Sequence, residues 1–110
     1  MKSYIDLKVW EKSIDLSCKV YELTKLFPKE EIYGITQQIR RAAVSVPSNI
    51  AEGSSRTTDK EFVHFITIAR GSLSELHTQL IISHKVGYLD ENQLNNIYIN
   101  ITEVSKMLNG

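Results

Sequence analysis

Three histidines and one cysteine are the side chains best suited to metal binding or nucleophilic chemistry in this chain of 110 residues. His77 and His84 are seven residues apart, so a helix would place them on one face but about 10.5 Å apart, too far to share a metal ion. His64 lies farther away along the sequence. We therefore expect no metal site, and we interpret the histidines as solvated or peripheral side chains.

Cys18 falls among apolar residues that recur at steps of three and four from Leu7 to Tyr21. A thiol on such a stripe is expected to be buried and unreactive rather than nucleophilic. Carboxylates are scattered along the chain, and the sequence contains no glycine-rich phosphate loop, nucleophile elbow or CxxC pair. We accordingly expect neither an enzyme nor a bound cofactor.

The stretch QQIRRAAVSVPSNIAEGSSR, residues 37–56, is predicted to lie on a helix with two apolar faces. Helical spacing of about 100° per residue places one stripe around Ile39, which would fill the core. A second face, mostly apolar, is formed by Arg40, Val44, Pro47 and Ala51. This second face is more than a monomer of this size needs, and a large exposed apolar patch usually marks an interface. We therefore predict a homo-oligomer with this helix at or near its interface.

The adjacent residues Arg40 and Arg41 diverge by about 100° on a helix, so they are not a paired grip for phosphate. Arg41 is expected on a polar ridge with Ser45, Ser48 and Glu52. Pro47 costs about 3 kcal/mol inside a helix and frees the carbonyl of Ala43. We expect that carbonyl to be satisfied by Ser45, Ser48, Asn49 or water, and the helix to be kinked at the proline.

A second patch of small residues contains Ala69, Gly71 and Ser72. Glycine inside a helix costs about 1 kcal/mol relative to alanine. Either another helix, in this or another subunit, approaches closely at Gly71, or the glycine is tolerated on the surface, and the sequence leaves both open. Gly71 and Ser72 therefore join the candidate oligomer interface.

Helical periodicity and helix-capping patterns predict four helices, at about 7–26, 29–52, 59–86 and from about 91 onward. The first helix carries two apolar stripes, and the third carries a heptad seam from Phe62 to Leu80. Asp6, Thr58 and Asp90 are the predicted N-caps, and Gly53 and Gly87 the predicted left-handed residues after helix ends. These features predict one all-α domain over residues 1–110, an antiparallel up-down-up-down four-helix bundle with a proline-kinked second helix.

Thirteen basic and thirteen acidic residues cancel, which argues against a strongly electrostatic nucleic-acid binder but leaves room for a local basic patch. A single cysteine gives no disulfide framework. The first residues have no signal-peptide pattern, and no apolar run approaches the ~20 residues of a membrane helix. We expect a cytoplasmic protein.

The segments DLKVW, QIRRAAVSVPSNIAEG, EFVHFITIARGSLSELHTQL and GYL resemble the bacterial proteins known as 23S rRNA intervening-sequence proteins, some of which are labelled ribosomal proteins. The resemblance spans nearly the whole chain. It implies an antiparallel four-helix bundle, a ring-shaped homopentamer and no established catalytic residues. Accessory proteins of diversity-generating retroelements, which form basic pentameric barrels that bind nucleic acid and a reverse transcriptase, look like relatives.

Two functions follow as hypotheses. The first is a non-catalytic oligomeric scaffold or interaction protein. The second is an RNA-binding or ribosome-associated module acting through a basic patch on the oligomer, whose candidate contacts are Arg41, Arg56, Lys60 and Arg70. Repetition of a weak basic patch around a ring would strengthen such binding through avidity. The motif also includes Asn49, Glu52 and Glu75, to which the sequence assigns no role.

Overall fold

The computed structural model describes residues 4–110, apart from the side chain of Asp6, and contains four α-helices and no strand within that range. The helices are α1 (Lys8–Thr24), α2 (Ile35–Ser54), α3 (Asp59–Lys85) and α4 (Glu91–Asn109). Short 3-10 turns occupy Tyr4–Asp6 and Lys29–Glu31. None of the helices described combines the length and apolar character needed to cross a membrane. The all-helical prediction with four helices is confirmed.

The four helices surround one core. Helix α2 packs against α1 and α3, and α4 also packs against α1 and α3, in a body of 44 × 25 × 19 Å. Every helix contributes branched aliphatic side chains at helical spacing, and the seam predicted for α3 is buried from Ala69 to Leu80. The aliphatic core side chains from the four helices include Leu16, Val20, Ile39, Val46, Ile50, Leu73, Leu76, Leu80, Ile97, Ile101 and Val104.

Helix α1 buries only one of its two apolar stripes. The core stripe includes Leu16 and Val20 and continues to Phe27, all at most 6% exposed. Cys18 lies on the other stripe and is exposed, so the expectation of a buried thiol is wrong. The physical reason is that α1 packs against two neighbours on one side, which leaves its second stripe facing outward.

The starts of α1 and α2 are later than predicted. The N-cap of α1 is Leu7, which forms no capping hydrogen bond, and the side chain of the predicted cap Asp6 lies outside the described residues. Helix α2 begins at Ile35 rather than at Lys29, because Gly34 adopts φ −108° and ψ −123°, outside the helical region. Glu31 Oε1 accepts a hydrogen bond from the backbone N–H of Ile35 at 3.3 Å and caps the new start.

Two predicted glycine roles have different outcomes. Gly53 was expected to follow the end of α2 in a left-handed conformation, but it is buried inside the helix. A Cβ at this position would lie 2.9 Å from Phe65 Cβ, so glycine is needed there for the close approach of α2 to α3. Gly87 has φ 88° after α3, as predicted. The capping interactions of Thr58 and Asp90 are also confirmed.

One end of the bundle is closed by a contact between the segment before α2 and the α3–α4 loop. The hydroxyl of Tyr88 donates a hydrogen bond to Glu31 Oε2 at 2.7 Å, and its ring lies 5.5 Å from that of Phe27. This hydrogen bond, together with desolvation and the nearby negative charges, raises the pKa of Tyr88. The contact fixes the segment from which α2 starts.

Candidate assembly surface

An open groove of about 580 Å³ runs between α1 and α2. The outward stripe of α1 forms one side of the groove, and the second face of α2 forms the other. Each of these two neighbouring helices carries more apolar surface than the core can cover. Tyr21 and Val44 are 41% and 40% exposed, so both side chains are partly in contact with solvent on this side of the bundle. The apolar side chains that line it are Tyr4, Trp10, Ile14, Tyr21, Val44, Pro47 and Ala51.

Three of the predicted interface residues therefore lie together. Val44, Pro47 and Ala51 all line the groove, although Pro47 itself is buried against α1. Arg40 lies at the edge of the same surface, because its guanidinium stacks 4.7 Å from the ring centre of Tyr21. Arg40 Nε also donates a hydrogen bond to Thr24 Oγ1 at 2.9 Å. These two contacts fix a positive charge beside the groove.

The carbonyl of Ala43 accepts a side-chain hydrogen bond from α1. Pro47 has no N–H to donate to it. The hydroxyl of Ser17 lies 3.0 Å from this carbonyl and 3.0 Å from that of Ser13, so its one proton is shared between the two. The expected donors Ser45, Ser48 and Asn49 are therefore wrong for the hydrogen bonds that the structure describes. Ser17 is 7% exposed, so this hydrogen bond is formed away from solvent, at the base of the groove.

The other two candidate interface residues lie elsewhere. Gly71 is exposed, and a Cβ there would meet nothing within 4 Å among the described residues, so none of the four helices approaches it closely. Ser72 is half-buried, and its hydroxyl is 2.8 Å from that of Ser45 on α2. Asn49 Nδ2 donates to Ser45 Oγ at 2.9 Å and to the Ser45 carbonyl at 2.8 Å.

This Asn49–Ser45–Ser72 chain of hydrogen bonds joins α2 to α3 and was missed from the sequence. The spacing of four residues between Ser45 and Asn49 was a usable signal, because it places both side chains on one helix face. The third member could not be found, because it depends on the register between α2 and α3.

The four basic residues proposed to contact nucleic acid are not equivalent. Arg56 forms an ion pair with Glu52 at 2.8 Å, and its guanidinium stacks 4.9 Å from the ring centre of Phe65. Arg41 and Lys60 are exposed. Arg70 lines a separate pocket between α3 and α4. Since Glu52 compensates the charge of Arg56, these residues do not form a uniformly positive surface.

Candidate catalytic and metal-binding chemistry is sparse in the described range. No group of three or more His, Cys, Asp or Glu side chains is arranged to hold a metal ion among residues 4–110, Asp6 aside. His77 stacks on Tyr98 with ring centres 4.8 Å apart. Cys18 lies in the groove wall, and Glu75 is exposed on α3.

Comparisons with known proteins agree with this architecture. The sequence model of the 23S rRNA-intervening sequence protein family matches residues 5–110. A search of curated proteins finds no match. The chain is similar to a protein of unknown function from the S23 ribosomal protein family of Bacteroides thetaiotaomicron VPI-5482, solved by crystallography at 1.70 Å. The two share 25% sequence identity and a TM-score of 0.84, over 91% of this chain and 94% of that one.

Proposed function

This chain belongs to the 23S rRNA-intervening sequence protein family, and we propose that it is a non-catalytic homo-oligomeric scaffold or interaction protein. The observation that carries the proposal is the apolar groove between α1 and α2. Its walls expose aromatic and aliphatic side chains side by side, and a contiguous exposed apolar surface is characteristic of interfaces. A second copy of the chain is the proposed occupant.

A ring is the proposed form of the assembly. If a different surface of the next copy covers the groove, the contact is head-to-tail. Such contacts close into a ring when the rotation between successive copies divides a full turn. The resemblance noted from the sequence favours a homopentamer. Gly71, with open space above it on α3, is proposed as part of the complementary surface. A partner of the kind known for accessory proteins of diversity-generating retroelements, and cytoplasmic localisation, stay predictions.

We also infer that the four helices alternate in direction. The contacts Ser17–Ala43 and Thr24–Arg40 support this for α1 and α2, because residue numbers rise along one helix while they fall along the other. The residue numbers of contacting pairs also run in opposite directions between α2 and α3, and between α3 and α4. A bend of α2 at Pro47 is inferred from the missing N–H and from the steric clash of its ring with the preceding turn.

The direct test of the assembly is the mass of the particle in solution. Light scattering or sedimentation equilibrium at micromolar concentration is expected to give a multiple of the 12.6 kDa chain mass. A single species of 12.6 kDa at all concentrations would remove the basis for the scaffold.

Binding of RNA is the second candidate function. It is supported by the exposed cations Arg41 and Lys60, neither of which forms an ion pair with a described residue. Phosphate contacts release counterions, so binding to fragments of 23S rRNA would weaken steeply as salt increases from ~50 mM. The paired substitution Arg41→Ala and Lys60→Ala is expected to reduce it. Absence of binding at ~50 mM salt, or binding unaffected by the substitution, would eliminate this candidate.

A further inference from the structure

A small polar pocket lies between α3 and α4, apart from the groove between α1 and α2. Its volume is about 320 Å³, within the range of small-molecule sites. Leu73 and Ile101, only 3% and 4% exposed, contribute the apolar part of the lining. The pocket therefore rests on the rigid core of the bundle, and the helices on either side determine its position.

The lining of this pocket is positively charged, although the chain as a whole has no net charge. Arg70 and Lys106 both line it, and no carboxylate among the described residues does. Neither cation forms an ion pair with any residue in the described range. The groove between α1 and α4 differs, because its lysines Lys12 and Lys19 are accompanied by Asp15, Glu22 and Glu103. An uncompensated pair of cations in a concave site favours an anion.

Hydroxyl groups supply the additional hydrogen-bond donors that a phosphate group requires. Ser74 from α3, and Thr102 and Ser105 from α4, line the same pocket as the two cations. Phosphate oxygens accept strong hydrogen bonds from guanidinium and ammonium groups, and a guanidinium can contact two oxygens at once. The donor set from both helices is thus suited to a phosphate group.

An aromatic pair borders the cationic pocket. His77 and Tyr98 stack with ring centres 4.8 Å apart and an interplanar angle of 30°, and both line the pocket. Tyr98 is 47% exposed although it is a large aromatic side chain. Aromatic side chains next to cations are a common platform for nucleic-acid bases, which stack on them with little dependence on base identity.

From these observations we propose that the α3–α4 pocket binds a nucleotide, with its phosphate against Arg70 and Lys106 and its base against Tyr98. The nucleotide is either free or part of a single strand of RNA, since both carry the same phosphate and base. This site does not depend on the assembly proposed above, because all its residues belong to one chain.

The test is a calorimetric or NMR titration of the intact protein at ~50 mM salt with AMP, ribose 5-phosphate, inorganic phosphate and a short oligoadenylate. AMP is expected to bind more tightly than ribose 5-phosphate, by at least about fivefold, because of base stacking. Tyr98→Ala should abolish that difference. The double variant Arg70→Ala, Lys106→Ala should weaken AMP binding at least about tenfold.

A matched control removes two exposed positive charges outside the pocket, in the double variant Lys29→Ala, Lys85→Ala. It should change AMP affinity by less than about twofold, because neither lysine lines the pocket and Lys85 lies about 22 Å along α3 from Arg70. Oligoadenylate binding without AMP binding, lost in the pocket variant, assigns the site to single-stranded RNA. No binding of either ligand, or equal losses in the two double variants, would overturn the proposal, whatever the oligomeric state.

Discussion

Ser17 Oγ lies 3.0 Å from the carbonyl oxygen of Ala43, and this hydrogen bond joins α1 to the one turn of α2 that Pro47 deprives of its helical donor. The proline is thereby accommodated inside a buried helix by a neighbouring helix. The contact lies at the base of the α1–α2 groove, so the unusual turn and the proposed assembly surface share the same residues.

Ser17→Ala is expected to destabilise the protein by about 1–2 kcal/mol, because it removes the side-chain donor of the buried Ala43 carbonyl. Ser83→Ala is the matched control, since buried Ser83 bonds to the Gln79 carbonyl, which lies in regular helix. It should cost less. Chemical denaturation at a fixed protein concentration measures both.

The variant Pro47→Ala sharpens the same prediction. Alanine restores an N–H that can reach the Ala43 carbonyl, so Ser17→Ala should cost less in that background than in the wild type. A double-mutant cycle measures the difference. Strictly additive effects of the two substitutions would contradict the assignment of Ser17 as the replacement donor.

Gly53→Ala and Gly71→Ala are expected to have opposite effects on the stability of the folded chain. A methyl group at Gly53 would lie 2.9 Å from Phe65 Cβ, so α2 and α3 must separate, at a cost of about 1–3 kcal/mol. A methyl group at Gly71 meets nothing within 4 Å and should add up to about 1 kcal/mol through helix propensity.

Thermal unfolding at low protein concentration separates these two glycine effects from assembly. If Gly71 also lies in the complementary interface, Gly71→Ala should stabilise the chain and yet weaken the oligomer. A destabilised chain in that variant would show that the space above Gly71 is not free.

Tyr88→Phe tests the contact that closes one end of the bundle. The hydrogen bond to Glu31 raises the pKa of Tyr88 above its ordinary value of 10.0. A raised pKa of an acidic hydroxyl means that the neutral form is favoured in the fold, so this stabilisation is complete below pH ~10 and is lost as pH rises through the higher folded value. The stability difference between wild type and Tyr88→Phe should therefore persist at pH 7–9 and shrink above pH ~10. A difference independent of pH over that range would contradict it.

Val44→Lys tests the assembly surface. A charge placed on a side chain that is 40% exposed in the groove should weaken association at least about tenfold while leaving the helical signal intact. Ile99→Lys is the control, because Ile99 is 66% exposed and lies on α4, away from both the groove and the surface of α3 that carries Gly71. Sedimentation velocity measures both, and equal dissociation of the two variants would argue against the groove.

The four helices and most of the core residues could be predicted from the sequence. From Thr58 onward, the capping residues mark the same helix boundaries as the spacing of the apolar residues. The sequence was insufficient where two helices meet. Which stripe of α1 faces the core, and hence the exposure of Cys18, depends on where the neighbouring helices lie. The same holds for Gly53, since a glycine required by a neighbouring helix looks in sequence like a glycine that ends one.

The candidate surface was predictable in part for the same reason. Angular positions on α2 placed Val44, Pro47 and Ala51 on one face, and they line one groove. The opposite wall from α1 and the donor Ser17 were not predictable, because they depend on the pairing of α1 with α2. For Gly71 the sequence left open whether another helix approaches it, and its open surroundings could be seen only in the structure.

The reactivity of Cys18 is the most direct measure of whether a second copy covers the α1–α2 groove. Cys18 is the single cysteine and is exposed in the isolated chain. It lines this groove and also the groove between α1 and α4, so the comparison with Val44→Lys is needed to assign its protection to the α1–α2 side. In the assembled wild type, a soluble thiol reagent should react with Cys18 much more slowly than in Val44→Lys, and dilution should accelerate the wild-type reaction. Equal, concentration-independent rates in the two proteins would contradict a groove covered by a second copy.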